Sequence, residues 1–114
     1  MKNPVLQKAS EHFKNQLSGG MKSIEVPEWE TTIYYKPVAT FAEQQRVFEY
    51  HNKGQLVEAL IETLITRAKD EEGKSMFARG EFAFFMREVD PNVLTRIVTE
   101  MNATTQESEA NLGN

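Results

Sequence analysis

Between Gln55 and Lys69 the chain reads QLVEALIETLITRAK, and its apolar spacing leaves the backbone little choice. Leu56, Val57, Leu60, Ile61, Leu64, Ile65 and Ala68 recur at the three- and four-residue intervals that gather side chains on one helix face. Glu58, Glu62 and Arg67 fall outside that stripe, so the spacing predicts a core helix with these three charges turned to water. A stripe this wide must be covered, and the rest of the chain has to supply the cover.

Four other segments qualify. Val93, Leu94, Ile97, Val98 and Met101 form a stripe opened by Asp90-Pro91, with Asp as N-cap and Pro where a missing donor costs nothing. Phe82, Phe85, Met86 and Val89 predict a helix from about Gly80 or Glu81 to Val89. Thr40-Phe41-Ala42-Glu43 is a capping box, opening a helix to about His51 with Gly54 as its C-cap. Val5, Leu6, Ala9, Phe13 and Leu17 predict an amphipathic helix over 4–17, broken by Gly19-Gly20.

Between these helices lies MKSIEVPEWETTIYYKPV. Ile24 and Val26 alternate with Ser23 and Glu25, TTIYY suits a pleated surface, and PEWE falls at the turn of a β-hairpin ended by Pro37. The expected fold is α+β: a small N-terminal hairpin packed on a bundle of about four to five short helices. One domain spans 1–102, and 103–114, lacking periodicity, is expected to be a disordered tail.

Charge and composition narrow the function. The net charge is −4, with acids and bases mixed, which disfavours a duplex-binding protein that must neutralise phosphates. No apolar run suits a signal-peptide core or a membrane span, and an intracellular protein is expected. The absence of cysteine excludes disulfides and thiolate metal sites.

Candidate sites are few. DEEGKSMF, residues 70–77, offers Asp70, Glu71 and Glu72, but consecutive acids do not supply the alternating ligands of a calcium loop. A polar turn around Gly73, with Phe77 returning the chain to the core, accounts for it. His12 and His51 lack partners for a nucleophile–base arrangement, and no phosphate-cradling glycine loop is present. The chain therefore reads as a non-enzyme with no metal and no cofactor. What remains is aromatic. Phe84 lies off the Phe82/Phe85 stripe, and either widens the core contact or forms an exposed anchor for a partner. Tyr34 and Tyr35 must point to opposite faces of the hairpin. Trp29, Tyr34, Tyr35, Phe82, Phe84 and Phe85 are accordingly the candidate partner-binding residues. The hairpin either docks on its own helices or takes up another strand at an edge.

The order of these pieces resembles the tail assembly chaperones of long-tailed bacteriophages. The matching positions are Ile24, Val26, Pro27, Trp29, Tyr35 and Pro37, then Asp70, Gly73, Lys74 and Phe77, then Val93, Leu94 and Arg96. The resemblance covers residues 23–102. It departs where SMF replaces the family's commoner PLF, and where ARGEFAFF is more aromatic and less acidic than usual. The resemblance implies a protein that coats the helical tape measure protein in the host bacterial cytoplasm, keeps it soluble, and is absent from the mature virion. It also implies recruitment of tail tube protein through a longer, frameshifted form, and leaves a homo-oligomer open. The competing reading is a structural virion component, such as a head–tail joining or tail completion protein.

Overall fold

The computed structural model describes residues 3–112, with side chains through residue 103. Its elements are α1 (Pro4–Leu17), β1 (Lys22–Val26), β2 (Thr31–Tyr35), α2 (Gln45–Asn52), α3 (Leu56–Arg67), α4 (Phe82–Glu88) and α5 (Pro91–Leu112). Apart from Ala103 and the backbone of α5, the predicted disordered tail over 103–114 lies outside this description.

The fold is α+β, a two-stranded antiparallel hairpin packed on helices. Ile24 pairs with Ile33 and Lys22 with Tyr35, so Ile24, Val26, Ile33 and Tyr35 share the inward face. There they meet Ile61, Leu64 and Ile65 of α3 and Val93, Leu94, Ile97 and Val98 of α5. The turn joining the strands is a single 3₁₀ turn over Pro27–Trp29, closed by Glu30 in the left-handed region at φ 52°. The Glu30 amide donates to the Pro27 carbonyl at 3.1 Å, which satisfies the turn.

Local chemistry sets turns and helix ends. The Thr40–Glu43 box, expected to open a helix, closes a turn over residues 40–44 instead, and α2 starts after it at Gln45 with Gln44 as an N-cap that makes no side-chain capping bond. The amide and hydroxyl of Thr40 donate to Glu43 Oε1 at 3.0 and 3.1 Å, and the Glu43 amide donates back to Thr40 Oγ1. Those bonds hold the Glu43 carboxyl below the usual carboxylate range, the Thr40 amide contributing most. Gly54 follows α2 at φ +74°. Asp90 Oδ1 accepts from the Asn92 amide and starts α5.

The central helix departs from its expected pattern in two ways. Leu56 and Val57 remain 57% and 56% exposed, on the open side of a first turn whose other side buries Ala59 at 2%. Glu62 and Arg67, expected in water, are 1% and 6% exposed instead. The second half of α3 is surrounded, and each buried charge there has its own partner. Arg67 donates from Nη2 to the Lys36 carbonyl at 2.6 Å and lies 5.5 Å from the Tyr35 ring centroid. Burial lowers its pKa from the ordinary guanidinium value. Glu62 Oε2 accepts from Arg79 Nη1 at 2.6 Å and from the Thr66 hydroxyl. Among the described residues no buried side-chain nitrogen or oxygen lacks a partner.

The loop 70–77 folds back on the hairpin. Asp70 Oδ1 accepts from the amides of Glu72 and Lys74, and Gly73 turns the chain at φ +87°. Lys69 exchanges two backbone hydrogen bonds with Tyr34, of 2.9 and 2.7 Å. The outer edge of β2 is thus paired with the chain itself at Tyr34, near its C-terminal end.

Candidate interaction cleft

Where the hairpin turn meets α4, the aromatic residues converge. Phe85 is the centre: its ring is 4.9 Å from Phe77, edge-on at 82°, 6.3 Å from Phe84 and 6.4 Å from Trp29. Such offset and edge-on pairs stabilise by about 0.5–1.5 kcal/mol beyond the area they bury. Phe85 is 7% exposed, so it forms the floor, while Phe84 at 55% stands on the wall. With Trp29 and Val89 these residues line an open cleft of about 420 Å³.

The rim is acidic. Glu81, Glu88 and Asp90 border the cleft and are all exposed. The reason is helical spacing: Glu81, Phe84, Phe85 and Glu88 stand at i, i+3, i+4 and i+7, which is one face. That pattern was legible in the sequence, but the expected core stripe of Phe82, Phe85, Met86 and Val89 runs beside it. Met86 is 42% exposed, against that expectation, because α4 is a short helix packed on one side only.

Two clamps position the cleft. Arg96 of α5 grips Glu28 of the hairpin turn with both guanidinium nitrogens, at 2.6 and 2.9 Å. The bidentate hydrogen bonds from Arg96 hold the Glu28 carboxyl down at about 2. On the other side the Arg79–Glu62 pair ties the turn before α4 to α3. One clamp aims Trp29 and the other aims Phe84 and Phe85.

The six sequence candidates divide. Trp29, Phe84 and Phe85 come together in the cleft. Phe82 instead stacks on Tyr50 of α2 at 5.9 Å. Tyr34 lies half-buried on the outward face of the hairpin, away from the other three by strand alternation. Tyr35, at 2% exposed, belongs to the core, and Phe85, at 7%, forms the floor of the cleft and does not project from it. Phe77, Val89 and the acidic rim were missed as site residues. Phe77 was legible only as an anchor, since its contact with Phe85 spans a loop and a helix.

Among the described residues no group of three or more His, Cys, Asp or Glu is placed to hold a metal ion. Among the same described residues no helix is long and apolar enough to cross a membrane. No protein-family model, curated protein sequence or solved structure matches this chain.

Proposed function

We propose that this protein is a phage tail assembly chaperone that holds helical segments of a tape measure protein in the acid-rimmed aromatic cleft. The observation that carries the reading is the exposed ring of Phe84, beside the half-buried Trp29, over a hydrophobic floor. A single-domain protein leaves such a patch open chiefly where something docks. A shallow groove with apolar walls suits the apolar face of a partner helix, and its acidic rim suits lysine or arginine flanking that face. The identity of the client comes from the sequence resemblance over residues 23–102, whose signature positions Trp29 and Phe77 line the cleft. Recruitment of tail tube protein through a longer form belongs to the same proposal.

The test is co-expression with tape measure protein, reading how much of it stays soluble and co-purifies. Wild type retains the client, and Phe84→Asp releases it with the fold intact, because Phe84 is half exposed. Tyr34→Asp, on the other face, leaves binding unchanged. Equal retention by wild type and Phe84→Asp would sink the cleft as the binding site. Finding the protein in fixed copy number in purified virions would favour the structural-component reading instead.

A further inference from the structure

The helix α1 has no buried residue, yet its sequence is built to be covered. Val5 and Leu6 are 71% and 67% exposed. The helix is nonetheless well made. Asn3 Oδ1 accepts from the Val5 amide at 2.9 Å, and Pro4 opens the first turn. Capping alone is a thin support, since isolated helices below about 12–15 residues are marginal in water. Stability for a helix like this comes from packing its apolar face, and on its own chain only Phe13 and Leu17 of that face are half-buried, while Val5, Leu6 and Ala9 are exposed.

The same chain contains the complementary surface. At about 100° per residue, Val5, Leu6, Ala9, Phe13 and Leu17 form one arc, Lys8 and Lys14 stand towards its two borders, and Glu11 lies opposite. Residues 1–17 carry Lys2, Lys8 and Lys14 against Glu11, so the remainder of the chain bears all of the net negative charge. The cleft offers Phe84, Phe85 and Trp29 for the apolar arc, and Glu81, Glu88 and Asp90 for the flanking lysines.

We propose that α1 is an arm that docks into the acid-rimmed aromatic cleft of a second copy of this chain. The proposal rests on the reading of the cleft as a helix-binding groove, though not on the client's identity. A second copy is favoured over the same chain by the tether. Ser18 to Met21 join α1 to Lys22, at the end of β1 far from Trp29 and the turn. That linker is already folded: the Ser18 amide donates to the Asn15 carbonyl and the Gly20 amide to that of Leu17. Only fully stretched, at about 14 Å, could these four residues retrace the strand, which is about 13 Å long, so an arm docking within its own chain would have to unfold both turns. Arm into cleft is a head-to-tail contact, so each copy keeps one arm and one cleft free until a ring closes. An arm bound this way also competes with any client helix for the same groove.

The experiment uses full-length chains, which contain no cysteine of their own. Light scattering after gel filtration should give a mass that rises above 13.1 kDa with concentration. Leu6→Asp and Phe84→Asp should each hold the monomer mass, with circular dichroism and melting unchanged, as both residues face water. Mixing an Ala9→Cys chain with a Glu88→Cys chain should give a disulfide between positions 9 and 88 of different copies. A wild type that stays monomeric at every concentration overturns the proposal. So does a chain carrying both cysteines that closes the 9–88 bond within itself. Client binding is read separately on Leu6→Asp. Self-association without tape measure binding would remove the client but keep the arm, and binding without self-association would remove the arm alone.

Discussion

Replacing Arg79 by Met would leave the carboxylate of Glu62 without its charged partner, in a site where its side chain is 2% exposed. Breaking a buried ion pair from one side costs about 3–5 kcal/mol, because a desolvated charge is left behind. Arg79 itself is 48% exposed, so water already screens part of the attraction. Discounting for that screening, and for the Thr66 hydroxyl that stays on the carboxylate, gives about 2–3 kcal/mol. In a domain of this length that lowers the melting temperature by about 8–12 °C. The opposite change, Glu62→Leu, strands only a half-exposed guanidinium that water can solvate, and should cost about 1 kcal/mol or less. The double variant Glu62→Leu/Arg79→Met should then lie within about 1 kcal/mol of wild type, since a buried pair can be exchanged for apolar groups at little cost. Urea unfolding of the four proteins completes the cycle, with unchanged denaturant slopes as the check on two-state behaviour. The reasoning fails if Arg79→Met costs less than about 0.5 kcal/mol, or if the single costs simply add. Because Arg79 stands directly before α4, the same variant should also weaken client binding at the cleft.

The Glu28–Arg96 clamp makes stability depend on pH. The Glu28 carboxyl is held at about 2 against an ordinary 4.5, so its contribution is complete above pH 4.5 and disappears as pH falls through about 2. The melting-temperature gap between wild type and Glu28→Gln should narrow across that window, and a gap that stays constant would contradict the assignment. Gly73→Ala should destabilise by about 1–2 kcal/mol from its positive φ alone, since the added Cβ would lie 4.0 Å from Met21 Cε, without a clash. Gly19→Ala meets nothing within 4 Å and carries no positive φ, so chemical denaturation should show it neutral or slightly stabilised.

Much of the fold was legible because its signals are local. The Thr40–Glu43 box, the Asp90-Pro91 start and the Asp70–Gly73 turn each satisfy backbone groups within four residues, so no distant contact is needed to read them. Apolar periodicity likewise placed α1, α3, α4, the first half of α5 and both strands, because a 3.6- or two-residue repeat is a property of the segment itself. The inward pair Ile24 and Val26, and the opposite facing of Tyr34 and Tyr35, follow from strand alternation.

Periodicity does not say how many neighbours a helix will have. Tertiary packing decided that α3 is enclosed along its second half, burying Glu62 and Arg67, and open at its first turn, exposing Leu56 and Val57. It decided that Lys69 pairs with Tyr34 at the edge of β2, and that Phe77 from a loop meets Phe85 from α4. It also decided that α1, amphipathic by sequence, buries none of its residues fully and leaves Val5 and Leu6 in water. Such outcomes join residues far apart in the chain, and their energies depend on which surfaces are brought together. A stripe announces that a face must be covered, and only the assembled structure determines what covers it.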